Sequence, residues 1–598
     1  MAEKESEAGP SGAAGRDLGA DLARIAEQSQ RLLSDFLTRQ AALRPEFGHA
    51  DPLNIGRAFL EFTTQLMANP AKLAEAHISL WRQYVDLWQH TARRLMGEPG
   101  EPVIEPTRED RRFRDKEWSE NLAFDYLKQS YLLSSRWLLD TVGQIDGLDA
   151  KERRKIEFYT RQFLDALSPT NFTLTNPEVL RATRESGGEN LLRGLKNMLD
   201  DLEAGGGKLA IKMVDPKAFR VGENLALAPG KVVFRNDLIE LLQYEPATAE
   251  VYRRPLLIIP PWINKYYILD LRPENSFIRW AVERGYTVFV VSWVNPDERL
   301  AAKSFEDYMR EGPLAALDAV SEATGETEAT AIGYCLGGTL LAATLAYMAA
   351  KHDGRVRAAT FFVSLVDFAE AGDLTVFIDE AQVKALEKRM SEKGYLDKEA
   401  MHTTFNMLRA NDLIWSFVVN NYLLGKEPFP LDLLYWNGDS TRMPMAMHSF
   451  YLRKMYLENK LREPGGIELG GVPIDLGRIT IPTFILSTKE DHIAPWKATF
   501  AATSLFKGPA RFVLAASGHV AGVINPPAAR KYGYWTGPIE GEDPDRWLNS
   551  AVKHEGSWWT DWDDWNAAQS GEKVPARKPG GGKLVPLADA PGTYVLSR

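Results

Sequence analysis

The chain has 598 residues, and because one hydrophobic core stops growing at about 250–300 residues, the sequence predicts two or more domains. Acidic residues outnumber basic ones by 81 to 71, a formal net charge of −10, which argues against nucleic-acid binding because phosphate contacts need clustered lysine and arginine. The single cysteine, Cys335, excludes an intramolecular disulfide and a cysteine-based zinc cluster, and we expect a reducing, cytoplasmic compartment.

The N-terminus is polar and contains no apolar segment of the kind found in a secretory signal. Residues 1–20 are therefore expected to form a disordered tail. The uncharged stretch Ala329–Ala350 is long enough to span a membrane, since a transmembrane helix needs about 20 apolar residues. Its glycines and the lack of a flanking basic cluster instead favour a buried strand followed by a buried helix, so we expect no transmembrane segment.

Residues 21–210 show helical spacing of apolar residues and predict an α-helical N-terminal domain. Helices are predicted at Asn121–Val142 and Arg153–Leu167, and an amphipathic face is formed by Leu73, Leu80, Tyr84, Leu87, Trp88 and Leu95. The tryptophans of these helices, Trp81, Trp88, Trp118 and Trp137, are expected to pack in a helical core. The alternative is that they adsorb to a partner or to a hydrophobic surface.

Beyond a glycine-rich break at Glu203–Ala210, short apolar runs alternate with helical stretches. This pattern predicts an α/β catalytic domain over residues 211–598 with a central parallel sheet. The predicted strands are Pro255–Pro260, Tyr286–Trp293, Ala329–Tyr334, Ala358–Leu365, Pro482–Thr488 and Ala510–Ala516. The long gap Val366–Ile481 predicts an inserted cap subdomain, because a structureless loop of that size is rare in a compact domain.

Cys335 lies in the sequence Gly-Tyr-Cys-Leu-Gly, between a predicted strand and a predicted helix. A nucleophile elbow requires this context, because glycines on both sides permit the tight turn that presents the nucleophile. The N-terminus of a helix also favours the thiolate form of a cysteine. The pattern therefore predicts an α/β-hydrolase fold with Cys335 as the nucleophile.

The acid and the base of an α/β-hydrolase follow the nucleophile along the chain, each in a loop after a late strand. Asp491 follows one predicted late strand, and His519 follows the next. His492, directly after Asp491, is the competing candidate for the base. We prefer His519, because adjacent loop residues usually point in different directions and His519 lies where the fold presents its base.

An acyl intermediate needs backbone N–H groups to stabilise its oxyanion. The first is expected from Leu336, directly after the nucleophile, and the second from the loop at Pro260–Asn264. Proline has no N–H to donate, which leaves Trp262 or Ile263, and we favour Ile263.

Several long motifs resemble the class I polyhydroxyalkanoate synthases, bacterial enzymes that polymerise 3-hydroxyacyl-CoA. The resemblance covers nearly the whole chain after the N-terminal tail. The motifs that carry it are the cysteine-containing box at Gly333–Gly338, Pro260–Leu271, Asn411–Lys426, Leu431–Pro444, Gly556–Trp559 and the N-terminal segment Asn69–Gln89.

The resemblance implies a catalytic triad of Cys335, Asp491 and His519, a dimer-linked tryptophan at Trp436 and a conserved polar position at Asp270. It also implies release of CoA from a short-chain acyl substrate such as (R)-3-hydroxybutyryl-CoA, without a metal or other cofactor. Further implications are a homodimer, location in the cytoplasm at the surface of polyester granules, and contact with granule-associated proteins through the N-terminal domain.

Two alternatives remain from the sequence. A thioesterase or polyester depolymerase with a cysteine nucleophile could use the same fold and triad, because a fold does not determine a reaction. A non-enzymatic protein that coats a hydrophobic inclusion would use the aromatic helices but would not need the ordered cysteine, aspartate and histidine.

Overall fold

The computed structural model of the protein describes residues 70–98, 100–107, 110–144, 147–207 and 209–597. The tail expected over residues 1–20 and the helical pattern before Pro70 lie outside these ranges. Among the helices within them, none is both long enough and apolar enough to cross a bilayer.

The N-terminal region is helical up to Ala204, as the apolar spacing predicts. Its helices are α1 (Pro70–Leu95), α2 (Glu117–Glu120), α3 (Leu122–Gly143), α4 (Ala150–Ala166), α5 (Pro177–Glu185) and α6 (Glu189–Ala204). Polar side chains begin three of them: Asn121 caps α3, Asp149 caps α4 and Asn176 caps α5, each accepting a hydrogen bond from the backbone of the first turn. Helices α3 and α4 confirm the predicted segments within a few residues.

The predicted apolar face of α1 is only partly buried. Leu87 is fully buried, whereas Trp88 and Leu95 are 67% and 75% exposed. The side chain of Leu73 lies outside the description. The predicted helix is therefore confirmed, but α3 covers only part of its apolar face.

The four tryptophans expected in the helical core divide into two groups. Trp118 is 1% exposed, and the Nε1–H of Trp137 donates to the carbonyl of Ala76 at 2.9 Å. Trp81 is 68% exposed, and Trp88, seven residues further along α1, is 67% exposed. Core packing is thus wrong for Trp81 and Trp88, because helical periodicity identifies an apolar face without showing which part of it a neighbour covers.

A mixed sheet of eleven strands forms the centre of the described catalytic domain, in the order β15-β14-β13-β12-β7-β6-β4-β5-β2-β1-β17. In chain order the strands are β1 (Gly230–Arg235), β2 (Ile239–Tyr244), β3 (Glu250–Tyr252), β4 (Leu256–Ile259), β5 (Val288–Trp293), β6 (Ala329–Tyr334), β7 (Val356–Phe362), β8 (Tyr395–Leu396), β9 (Met443–Pro444), β10 (Glu468–Leu469), β11 (Val472–Pro473), β12 (Thr483–Thr488), β13 (Ala510–Ala515), β14 (Gly533–Thr536), β15 (Val552–Glu555), β16 (Lys573–Pro575) and β17 (Ala588–Asp589).

The six predicted strands are the parallel centre of this sheet, β5-β4-β6-β7-β12-β13. Antiparallel strands extend it on both sides, with β2, β1 and β17 at one edge and β14 and β15 at the other. Because parallel strands end at the same edge of a sheet, the loops after β4, β6, β12 and β13 meet there.

Helices cover both faces of the sheet. After β2 the helices are α7 (Phe277–Glu283), α8 (Phe305–Met309), α9 (Ala315–Thr324), α10 (Leu336–Ala350), α11 (Glu380–Lys393), α12 (Lys398–Leu408), α13 (Asp432–Gly438), α14 (Met445–Phe450), α15 (Trp496–Phe500), α16 (Ala502–Leu505), α17 (Pro544–Ser550) and α18 (Trp559–Gln569). The uncharged stretch Ala329–Ala350 is the strand β6 followed by the buried helix α10. Burial against the sheet explains its lack of charge.

The segment between β7 and β12 is a helical insertion, hereafter the cap, and it contains α11 to α14. Three of its stretches, Asn411–Trp415, Val418–Leu423 and Tyr451–Leu457, are π-helical. The fold is therefore an α/β-hydrolase fold with an inserted cap and a preceding helical region, as predicted.

The N-terminal helices pack directly on the cap. The hydroxyl of Tyr422 donates to Asp201 Oδ2 at 2.6 Å, and the amide of Asn190 donates to the carbonyl of Leu423 at 2.8 Å. Lys155 forms an ion pair with Asp379 at 3.1 Å. Helices α4 and α6 therefore bind the cap through side-chain hydrogen bonds and an ion pair.

Candidate active site

Cys335 occupies the turn between β6 and α10 and has a backbone φ of +53°. A positive φ is uncommon for a residue with a side chain, and such strained conformations cost about 1–3 kcal/mol. The surrounding backbone holds the turn in place: Cys335 N–H donates to the carbonyl of Phe362 at 2.9 Å, and Gly338 N–H donates to the carbonyl of Cys335 at 2.9 Å. This is the geometry of a nucleophile elbow.

The glycines around Cys335 are required by close approach of the backbone. A Cβ on Gly333 would lie 2.4 Å from the Cα of Gly338, and a Cβ on Gly337 would lie 2.0 Å from the carbonyl oxygen of Ile259. A Cβ on Gly338 would meet the hydroxyl of Ser364 at 1.9 Å. Helix α10 can start beside the ends of β4 and β6 only because these positions carry no side chain.

His519 and Asp491 meet at the edge of the sheet where β12 and β13 end. His519 Nδ1 lies 2.6 Å from Asp491 Oδ2. The other carboxylate oxygen, Oδ1, accepts the backbone N–H groups of Ile493 and Ala494, both at 2.9 Å. The Asp491 side chain is fully buried, so these bonds fix its orientation and that of the imidazole.

The surroundings of His519 favour its charged form. Burial by itself lowers the pKa of this histidine, but the charges of Asp491 and Cys335 and hydrogen bonds to both outweigh burial and raise the pKa above its usual value. The structure therefore brings Cys335, His519 and Asp491 together, which is the arrangement that a nucleophile, its base and an orienting acid require.

His492, the competing candidate for the base, has a different position. It is absent from the residues that line the cavity around Cys335, and burial lowers its pKa. Its backbone carbonyl accepts a hydrogen bond from Asp373 N–H at 3.2 Å. The geometry accordingly favours His519 over His492.

The two residues whose backbone N–H groups are expected to stabilise an oxyanion border the same cavity as Cys335. Leu336 is the first residue of α10, and both Leu336 and Ile263 line the same cavity as Cys335 and His519. Trp262 does not line that cavity and is 1% exposed. Of the two candidates, Ile263 is thus the one that borders the cavity, and its role in holding an oxyanion stays a prediction.

A cavity of about 890 Å³ lies between this site and the cap. Most of the residues that line it belong to the cap, and many of these are apolar, among them Phe377, Val383, Leu386, Met407 and Leu452. This volume falls within the about 300–1,000 Å³ typical of ligand pockets. Cys335 therefore faces a covered, largely apolar space.

Three tyrosines near Cys335 received no role in the sequence analysis. Tyr451 and Tyr456, from a π-helical stretch of the cap, line the cavity. Burial, together with interactions that include the Cys335 charge, raises the pKa of each phenol. The hydroxyl of Tyr334 donates to the carbonyl of His519 at 3.4 Å. Tyr334 was visible beside the cysteine, but the cap tyrosines carry no sequence signal because only tertiary folding brings them there.

Trp436 and Asp270 are both buried. The Nε1–H of Trp436 donates to the carbonyl of Lys265 at 2.7 Å, and its side chain is 7% exposed. Asp270 accepts hydrogen bonds from Ser276 Oγ at 2.6 Å and from Ala228 N–H at 3.0 Å, and burial raises its pKa. Both residues fix loops beside the sheet within this chain.

Two family models match the chain. One, described as "Poly-beta-hydroxybutyrate polymerase (PhaC) N-terminus", matches residues 109–281. The other, described as "alpha/beta hydrolase fold", matches residues 273–526. The second agrees with the parallel sheet and the elbow at Cys335, and the first covers most of the described helical region and the first strands.

Curated relatives match over almost their whole length. A poly(3-hydroxyalkanoate) polymerase of Methylorubrum extorquens is 54% identical over 531 residues, covering 88% of this chain and 87% of its own. The PhaC polymerase subunit of Rhizobium meliloti is 48% identical over 582 residues, covering 97% and 95%, and that of Cupriavidus necator is 42% identical, covering 88% and 89%. The chain therefore belongs to the poly(3-hydroxyalkanoate) polymerase family, an acyltransferase family, as the motifs around Cys335 indicated.

Proposed function

We propose that the protein polymerises (R)-3-hydroxyacyl-CoA, with 3-hydroxybutyryl-CoA as the short-chain substrate, into a polyester with release of CoA. The observation that carries the proposal is the contact of His519 Nδ1 with Asp491 Oδ2 at 2.6 Å beside Cys335, beneath a cap. Family membership supports the reaction class. The proposed chemistry uses no metal or cofactor beyond the CoA thioester itself.

In the proposed loading step, His519 accepts the proton of the Cys335 thiol. The thiolate attacks the carbonyl carbon of the acyl-CoA thioester, and the N–H groups of Leu336 and Ile263 hold the developing oxyanion. The carbon–sulfur bond to CoA then breaks, and the departing thiolate takes the proton from His519. One thioester replaces another, so the acyl group remains activated.

In the proposed elongation step, the 3-hydroxyl of a second acyl-CoA is the nucleophile. His519 accepts the hydroxyl proton, the oxygen attacks the acyl group on Cys335, and an ester bond forms as the cysteine thiolate leaves and recovers the proton. Asp491 either only orients His519 or also assists this deprotonation. Normal acyl loading with failed elongation in Asp491→Asn would support the second role.

Water competes with the 3-hydroxyl for the acyl-enzyme, and the proposed purpose of the cap is to keep water away from it. The cavity is lined by apolar side chains of the cap such as Leu386 and Leu452, and such a lining limits the access of water. Opening of the cap would admit substrate. This requirement separates a polymerase from a hydrolase built on the same triad.

We further propose that the protein works at the surface of polyester granules as a homodimer. The exposed Trp81 and Trp88 of α1 support contact with a hydrophobic surface, and granule-associated proteins would bind through the same helical region. The buried indole of Trp436 gives that residue a role inside each subunit, where it would shape the loop beside the cavity.

The decisive experiment incubates the purified protein with (R)-3-hydroxybutyryl-CoA and measures free thiol, soluble acid and insoluble polyester. Polymer together with CoA supports the proposal. Free 3-hydroxybutyrate with CoA would show a thioesterase, and release of acid from added polyester would show a depolymerase.

The control is Cys335→Ala, which removes the only thiol of the chain. We expect neither CoA release nor polymer from this variant, with an unchanged thermal transition. Polymer formation by Cys335→Ala would refute the cysteine mechanism.

A further inference from the structure

The wall of the cavity carries polar atoms that the proposed transfer does not use. His448 is 4% exposed, and its Nδ1 has no hydrogen-bond partner. The amide nitrogen Nδ2 of Asn437 is also buried and without a partner. Both residues line the cavity that contains Cys335. Buried polar groups are normally paired, so unpaired groups at one cavity indicate a ligand that would pair them.

His448 lies on the side of the cap helix that faces the cavity. It belongs to α14, which continues directly into the π-helical stretch Tyr451–Leu457. Tyr451 and Leu452, three and four residues later, line the same cavity, and residues at this spacing share one helix face. His448 therefore belongs to the same part of the cavity wall as Tyr451 and Leu452.

The imidazole of His448 is neutral at physiological pH. Burial alone lowers its pKa to about 4, and no charged side chain offsets the effect. A neutral imidazole has one N–H donor and one acceptor, and the Nδ2 of Asn437 is a donor only. With the proton on Nδ1, His448 and Asn437 present two uncharged donors to the largely apolar cavity, and they match carbonyl oxygens, which accept hydrogen bonds and carry no charge.

We propose that His448 and Asn437 form a binding site for carbonyl oxygens of the extended substrate chain. The proposal rests on the proposed function and identifies a part of the same site. Two sources supply this chemistry: the amides of the pantetheine arm of an acyl-CoA, and the ester carbonyls of the growing polyester. His448 and Asn437 are binding residues and take no part in bond breaking.

The test compares His448→Met, which removes the hydrogen bond, with His448→Gln, which keeps a donor and an acceptor. One uncharged hydrogen bond is worth about a 3- to 10-fold change in binding. We expect KM for (R)-3-hydroxybutyryl-CoA to rise by that factor in His448→Met with kcat retained, and His448→Gln to recover most of the loss. Met447→Leu is the matched control, because Met447 is fully buried in the same helix and does not line the cavity.

Two further substrates separate the sources. The S-ethyl thioester of 3-hydroxybutyrate has no pantetheine arm, so a KM that is equal in wild type and His448→Met for this substrate assigns the contact to pantetheine. A KM increase confined to the CoA thioester of a 3-hydroxybutyrate trimer assigns it to the ester carbonyls. Unchanged KM values for all three substrates in a folded His448→Met variant would overturn the proposal.

Asn437→Ala repeats the test at a half-buried side chain, so the result does not depend on correct folding of His448→Met. We expect a KM increase in the same range, and an unchanged KM would contradict the shared site. If wild type releases free acid and no polymer, the proposed function fails, while KM for thioester consumption still tests His448.

Discussion

At the scale of single residues, the carboxylate of Asp491 controls the protonation of His519. Its charge and its 2.6 Å contact are leading causes that raise the pKa of His519. We expect Asp491→Asn to lower that pKa, measured by NMR titration of ¹⁵N-labelled histidine, and to reduce polymerisation by about 10²-fold or more, since a positioned base contributes about 10²–10⁴-fold.

The control is Glu490→Gln. Glu490 is exposed, and this substitution removes a negative charge from the same loop. It should leave the titration of His519 unchanged. An equal pKa in wild type and Asp491→Asn would contradict the assigned pairing.

The same pKa shift predicts how stability depends on pH. A histidine with a raised pKa in the folded state stabilises that state fully below its unfolded pKa of about 6.5, and the contribution disappears as the pH rises through the folded-state pKa. The advantage in Tm of wild type over Asp491→Asn should therefore shrink as the pH rises from about 6.5 towards the folded-state pKa of about 10. A constant difference in Tm from pH 6 to pH 10 would show that His519 does not carry it.

Gly337 controls whether the elbow can form. In Gly337→Ala the new Cβ would meet the carbonyl oxygen of Ile259 at 2.0 Å, which pushes α10 away from the loop that supplies Ile263. We expect a loss of about 1–3 kcal/mol in the free energy of unfolding, together with failed acyl loading, measured by calorimetry and by labelling with substrate. Gly354→Ala adds a Cβ with no atom within 4 Å and should behave as wild type.

At the scale of elements, helix α1 presents the aromatic surface that the proposed granule contact requires. We expect Trp81→Ser with Trp88→Ser to weaken sedimentation with polyester particles, because each buried apolar side chain contributes about 1.5–3 kcal/mol. Tm should change little, since both side chains are already exposed. The control is Phe429→Ser, at a 77% exposed position in the cap. If this variant lost as much sedimentation with the particles as the double tryptophan variant, the adsorption would be non-specific.

The elements also show where sequence patterns are reliable. The six parallel strands are continuous apolar runs because both faces are buried, and they were predicted within a few residues. The antiparallel strands β1, β2, β14, β15 and β17 were not predicted, since their positions depend on pairing with a sheet already formed. The exposure of Trp81 was not predicted either, because it depends on which part of α1 is covered by α3.

At the scale of the whole molecule, the N-terminal helices and the cap form one packed unit above the sheet. A Cβ on Gly194 would lie 1.8 Å from the carbonyl oxygen of Tyr422. We therefore expect Gly194→Ala to separate α6 from the cap, which would lower Tm and speed proteolysis of the cap. Gly438→Ala adds a Cβ that meets nothing within 4 Å, and it should change neither Tm nor the rate of proteolysis. Unchanged proteolysis in Gly194→Ala would mean that α6 does not hold the cap.

The sequence by itself determined the α/β class, the elbow at Cys335 and the pairing of the Asp491 and His519 loops. Each is encoded locally, by apolar runs, by glycines at a turn and by the order of residues after known strand ends. Only the tertiary structure decided that Tyr451, Tyr456 and His448 face the cavity and that Trp81 and Trp88 face solvent. Those outcomes depend on contacts between distant segments, and no local pattern of residues encodes such contacts.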